Sequence, residues 1–258
     1  MRCLVMTDLE GVAGVVSFTQ QAYDNAPYLD AARSLLTAEV NAACEGLLEA
    51  GATEILVLDG HGCGGIRFEE LHPEARLLHG RPFPDSARRA AIYRGYDMAL
   101  MVGQHAMAGT PDGNLNHTQN SRAIEYYQLN GRAIGEIAQF ALTCGAVGVP
   151  LVFLSGDAAA CREAEELIPS VTTAAVKQGI GRGTAISLSG PKARQLIRNR
   201  VRTAVESHTR TPIRPLVWEA PYVLDIRFFT TDLADTHPGE RIDPRTVRQR
   251  AQDILEII

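Results

Sequence analysis

The sequence predicts an α/β protein: a doubly wound, mostly parallel sheet with helices on both faces, plus a smaller α+β lobe. Three observations carry this expectation. Short apolar runs of strand length alternate with segments of helical period from residue 2 to residue 155. Acids and histidines stand just past those apolar runs, where strands of an open parallel sheet deliver side chains to a crevice at their carboxyl ends. From about residue 171 the pattern changes to strand-like runs around a glycine-rich stretch, which predicts the smaller lobe.

Taken in order, residues 2–7 read as a buried strand. Residues 29–50 carry Ala32, Leu35, Leu36, Val40, Ala43, Leu47 and Leu48 at helical spacing, with Gly51 as the stop. A strand at 54–59 completes a strand–helix–strand unit, whose crossover is right-handed in a parallel sheet. Further strands are expected at 97–103 and 150–155, with a helix at 134–145. Val171–Lys177 and Ala185–Ser189 read as strands on either side of Gly179-Ile180-Gly181-Arg182-Gly183. A helix at 191–207 opens on Pro191, a residue that suits a first turn. Strands near 213–218 and 221–229, a polar loop and a last helix from about 244 close the chain. The expected division is a metal-binding catalytic part at 1–185 and the smaller lobe at 186–258, although no linker-like stretch marks the boundary. No internal repeat or low-complexity segment stands out.

Composition narrows the function classes. Over 258 residues, 45% are hydrophobic and 21% charged, ordinary values for a folded chain with ample core. A formal charge of −5 argues against nucleic acid as a partner, and the arginines of the last third are interleaved with acids. No apolar stretch reaches the length of a membrane span, so no membrane partner is expected. The five cysteines, Cys3, Cys44, Cys63, Cys144 and Cys161, are scattered and odd in number, which indicates neither a disulfide framework nor a structural zinc knot. Met1-Arg2 leads directly into the first apolar run without a signal-peptide pattern, so a cytoplasmic location is expected.

The candidate chemistry lies in five places. Asp8 and Glu10 follow the first strand; residues two apart on a strand face one side, so both carboxylates can face one site or cap a nearby helix. His61 lies in Asp59-Gly60-His61-Gly62, where glycines permit tight turns and Asp59 is placed to orient the imidazole. His105 follows the strand at 97–103, and the loop from it to His117 is too polar for core. Glu136 sits in a helix's first turn, where an acid also complements the helix dipole. Carboxylates and imidazoles together suit a divalent ion such as zinc or manganese. Asp157 either lines the cleft or caps the next helix, while His72, His79, His208 and His237 read as loop or surface residues without a site role.

Several of these blocks, in order and over most of the chain, resemble the M55 family of metallopeptidases. They are Asp8-Leu9-Glu10-Gly11 with Gly14-Val15, Asp59-Gly60-His61-Gly62, Gly103 to Gly109, Asn116-His117-Thr118, Asn130-Gly131 through Glu136, Ser155-Gly156-Asp157, and Val176 to Arg182. The resemblance implies two divalent ions per subunit, zinc above manganese or cobalt. It implies that Asp8 bridges them, that Glu10 and His61 complete one site, and that His105 and Glu136 complete the other. It also implies His117 as the catalytic histidine. The implied activity is an aminopeptidase that uses metal-bound hydroxide on short peptides with a D-residue at the amino end. A large homo-oligomer, a decamer, is implied as well. Cys63 is not assigned as a ligand.

Two other readings fit the residues alone. A dimetal hydrolase of another amide or of a phosphoester shares the ligand set, but would want Arg67 or Arg81 aimed at the phosphate. A non-catalytic, metal-containing peptide-binding protein has no need of so many ligands.

Overall fold

In the computed structural model, which describes residues 1–258, the first strand is the hub of the molecule. β1 (Arg2–Thr7) has Cys3, Leu4 and Val5 wholly buried and pairs in parallel with β2 (Glu54–Asp59) on one side and β4 (Met98–Gln104) on the other. Between β1 and β2 the chain makes one π-type turn, Phe18–Ala22, and then α1 (Leu29–Glu49). It continues outward through β3 (Ala75–Leu78) and returns by α2 (Ser86–Tyr93) to β4.

After β4 come β5 (Ile124–Leu129), β6 (Arg132–Ile134) and α3 (Glu136–Gly145). The chain then re-enters the large sheet with β7 (Leu151–Asp157), α4 (Ala158–Leu167) and β8 (Thr172–Gly181). The antiparallel edge strand β9 (Thr184–Ser187) gives the order β3-β2-β1-β4-β7-β8-β9. The order reverses between β1 and β4, which opens a crevice at their carboxyl ends.

The strands are apolar along both faces because helices cover both. α1 and α5 (Gly190–Arg210) pack on each other over β4, β7 and β8, while α3 and α4 pack together over the same strands. Gly46 of α1 permits the first pair's close approach, since a Cβ there would stand 2.6 Å from the Arg198 carbonyl oxygen. The resulting main core holds 52 buried residues.

A second, wholly antiparallel sheet has the order β11-β12-β10-β5-β6 and a core of its own, of 13 buried residues. Its C-terminal members are β10 (Tyr222–Phe228), β11 (Glu240–Asp243) and β12 (Thr246–Ala251), with a short helix α6 (Thr231–Asp235) between the first two. In β10, Tyr222, Leu224, Ile226 and Phe228 point inward by strict alternation.

The chain does not divide cleanly at residue 185: β5 and β6 belong to the second sheet, and α5 packs on the first. The helix expected from about 244 is instead β12 with one 3-10 turn at Ile254–Glu256. Val247 is buried under the sheet, and Arg248 makes two 2.6 Å bonds to Asp225, its partner in register on β10. A cross-strand ion pair and a buried neighbour fix this segment as strand despite its polar composition. Residues 213–218 form no regular element, in keeping with Pro212 and Pro215, which remove backbone donors.

Candidate metal centre

Asp8 and Glu10 leave the end of β1 in a turn that remains tied to β4, with Asp8 N–H donating to Val102 O and Gly11 N–H to Gly103 O. Close backbone packing makes this possible. A Cβ at Gly11 would stand 2.0 Å from Gln104 O, and one at Gly156 of β7 would stand 1.8 Å from the same atom. From the other side, Lys177 of β8 is buried and its ammonium donates to the carbonyls of Glu10 and Val15 and to Asn114 Oδ1. One buried cation thus holds the turn carrying Glu10 and the loop leading to His117. The sequence marks this role only by a lone lysine at the end of the strand-like run from Val171.

His61 follows β2, and its turn is braced by two arginines as well as by its neighbouring acid. Arg81 donates to the carbonyls of Asp59, His61 and Gly62, and Arg33 to those of Cys63 and Gly64. Asp59, expected to orient His61, instead accepts from Gly65 and Ile66 N–H and closes the turn. The group beside His61 Nδ1 is the Cys63 thiol, at 3.5 Å, while Nε2 faces Glu10 Oε1 at 3.4 Å. Cys63 therefore lies behind the ring, away from the acids.

His105 follows β4, with Nδ1 2.9 Å from Ala106 O. Its Nε2 stands 3.1 Å from Asp8 Oδ2 and 3.5 Å from Glu136 Oε1, yet it has no hydrogen-bond partner. His117 stacks on His105 with ring centroids 3.9 Å apart. Its Nδ1 is 2.9 Å from Leu115 O, and its Nε2 faces Glu136 Oε1 at 3.9 Å. Glu136 opens α3 and accepts from Gln119 N–H at 2.7 Å. Asp157 accepts from Ala160 and Asn114 N–H, so it caps α4 and anchors the loop rather than facing the acids.

All six candidate residues converge, in two groups: Asp8, Glu10 and His61, then His105, His117 and Glu136, each with donor atoms within 4.8 Å of one another. Asp8 belongs to the first group and touches His105 of the second, as a bridging ligand would. The electrostatics mark an unusual concentration of charge. Burial and the Glu10 carboxylate push Asp8 up to about 7. Burial also works against ionised Glu10, but His61 outweighs it and holds that carboxyl well below its usual range; His105 does the same for Glu136. Burial would lower His61 and His105, yet Glu10 and Glu136 respectively raise both well above the usual imidazole value. Burial and the neighbouring His105 lower His117, so it is neutral at pH 7.

Divalent cations fit this donor set. Glu10 Oε2 and His105 Nε2 are buried without partners, and three carboxylates with three imidazoles form a nitrogen and oxygen set that suits zinc. A backbone carbonyl only accepts, so Nδ1 carries a proton in both His105 and His117, and in the neutral imidazole, the form that binds a metal, the Nε2 lone pair faces the acids.

Comparison with known proteins agrees with this geometry. The model of the M55 peptidase family, described as D-aminopeptidase, matches residues 1–258. The D-aminopeptidase of Bacillus subtilis (strain 168) is 34% identical over 264 residues, covering 99% of this chain and 93% of that protein. The solved structure of the Zn-dependent D-aminopeptidase DppA from Bacillus subtilis, a self-compartmentalizing protease, superposes with a TM-score of 0.87 at 32% identity. That match covers 99% of this chain and 93% of the other. The family model spans every strand end that carries a candidate ligand, and the chain belongs to the M55 peptidases, a family of peptide hydrolases.

Proposed function

We propose that the protein is a dimetal aminopeptidase that removes the first residue, a D-amino acid, from short peptides. The observation that carries this reading is the pairing of two three-residue donor groups through Asp8. Asp8 would be shared by two zinc ions, Glu10 and His61 would hold one, and His105 and Glu136 the other. Bound there, the ions supply Lewis-acid activation of water and of the scissile carbonyl.

The chain's own groups supply position and proton transfer. His117, neutral and fixed through Nδ1 on Leu115 O, presents an Nε2 lone pair to the cleft, where it would take a proton from the attacking water and hand that proton to the leaving amine. Its 3.9 Å separation from Glu136 is wider than His105's contacts with either acid, which supports a proton-handling role over a ligand role. The turns carrying Glu10 and His61 are fixed by Lys177, Arg81 and Arg33, so the ligands need no rearrangement to converge.

The zinc dependence and self-compartmentalizing assembly of the Bacillus subtilis relative support zinc and a homo-oligomer, for which we propose a decamer. The five free cysteines, four of them buried, suit a reducing compartment such as the cytoplasm. The test is metal content per subunit measured beside hydrolysis of D- and L-alanyl p-nitroanilides. About two metals per subunit with D-selective, chelator-sensitive turnover is expected. Two metals with L-selective turnover would refute the substrate, and absence of metal after zinc reconstitution would refute the site.

A further inference from the structure

The metal ligands open on a cavity of about 580 Å³, a size that holds a small ligand rather than an extended chain. Beyond the proposed ligands and His117, its charged lining consists of two side chains, Asp24 and Arg122. With Asp8, Glu10 and Glu136 committed to cations, the remaining cavity offers one anion and one cation. That is the complement of a zwitterion.

Arg122 is held in place with its donors free. Its backbone N–H donates to Asn120 Oδ1 at 2.9 Å, and its guanidinium carbon lies 3.8 Å from the centroid of the Tyr23 ring. The Tyr23 hydroxyl is in turn 3.0 Å from Ser121 Oγ, so the aromatic platform is tied to the same loop. Stacking occupies the face of a guanidinium and leaves its edge, where the N–H groups lie, available. The other arginines near the site differ. Arg81 is bonded to the carbonyls of the His61 turn, and Arg182 donates to the carbonyls of Asn116 and Ser121. Arg122 makes no ion pair with Asp24 or any other acid, so it is not present to neutralise a neighbour.

We propose that Arg122 receives the C-terminal carboxylate of the substrate, resting on the aminopeptidase reading above. A planar fork of N–H donors matches a carboxylate in a bidentate way, and no other unpaired cation lines the cavity. The substrate class is thereby narrowed to short peptides with a free carboxyl end. Peptide amides and esters lack the group that Arg122 reads, and long chains carry it too far from their amino end.

The test compares the metal-loaded wild type with Arg122→Ala and Arg122→Lys on D-alanyl-glycine, its C-terminal amide and D-alanyl p-nitroanilide. The wild type should favour the free acid over the amide. Arg122→Ala should lower kcat/KM for the acid by about tenfold or more, chiefly through KM, and leave the amide and anilide unchanged. Arg122→Lys, which keeps the charge without the fork, should fall between. Equal losses on acid and amide, or no loss on the acid, would overturn the proposal. If the wild type cleaves none of the three, the aminopeptidase reading fails. Calorimetric binding of acid and amide to wild type and Arg122→Ala then decides the carboxylate anchor separately, with equal affinities refuting it.

Discussion

Gly156→Ala tests whether close backbone packing, rather than the ligand side chains alone, sets the metal centre. Gly156 lies on β7 opposite Gln104 of β4, the residue before His105. An added Cβ would stand 1.8 Å from Gln104 O, whereas ordinary contact begins at 3.4 Å, so one backbone must move by about 1.6 Å. The atom met is a main-chain oxygen in the middle of a sheet and cannot rotate away. Overpacking of this kind costs about 1–3 kcal/mol, and a shift of about 1 Å in a catalytic group can cost about 100-fold in rate. The expected result is a protein that folds with a melting temperature several degrees lower, binds zinc more weakly and loses at least about 100-fold in kcat/KM. Gly183→Ala is the matched control: its Cβ would meet nothing within 4 Å, so the substitution should change none of the three. Wild-type metal affinity, turnover and melting temperature in Gly156→Ala would refute the reasoning.

His117→Ala should retain both metals by elemental analysis yet lose about 100-fold or more in kcat, whereas His105→Ala should lose metal as well; metal loss in His117→Ala would make it a ligand. Burial pushes Glu39 up to about 7 despite the bond it accepts from Ala13 N–H, so the folded state binds this proton more tightly than the unfolded chain does. Its contribution is therefore greatest below the unfolded value of 4.5 and is lost as pH rises toward about 7, by roughly 3 kcal/mol at most. Glu39→Gln should flatten that part of the urea-denaturation profile and be more stable than wild type at pH 8; parallel profiles would contradict it. Cys63→Ala removes the group beside His61 Nδ1 and should weaken one of two metals in a competitive chelator titration while leaving the second; unchanged affinities would exclude an orienting role for the thiol.

The sheet was legible in the sequence because its strands are buried on both faces and read as apolar runs. Arg2–Thr7, Glu54–Asp59 and Met98–Gln104 stand within a residue of their expected bounds. The second sheet was harder to see. β5 and β12 carry polar and aromatic residues whose strand character comes from cross-strand partners, such as Asp225 for Arg248, and no local pattern encodes a partner distant in sequence. Asp8, Glu10, His61 and His105 were legible because they stand just past the apolar runs, whereas Glu136, in a helix's first turn, was marked only by the family resemblance. Their supports were not: Arg81 reaches the His61 turn from 20 residues away, and Lys177 reaches Glu10 from 167. Asp59, adjacent to the turn and the natural partner for its histidine, closes the turn instead.

Three carboxylates and three imidazoles in so small a volume would scatter if only their mutual attraction held them. Four of the six are instead fixed by nearby backbone groups. His105 and His117 are pinned at Nδ1 by the carbonyls of Ala106 and Leu115, Asp8 accepts from Leu9 N–H, and Glu136 accepts from Gln119 N–H. Leu115 and Gln119, the residues that turn the chain around His117, adopt positive φ of 54° and 61°, a conformation that costs L-residues energy and persists only where the surroundings enforce it. That enforcement comes from the β8–β9 hairpin, where Arg182 O accepts from Leu115 N–H and a Cβ at Gly179 would stand 2.1 Å from Asp112 O. The glycine-rich stretch therefore acts on the chemistry without touching it. It presses the loop that sets the angle of His117, and the edge of the sheet farthest along the chain becomes part of the site.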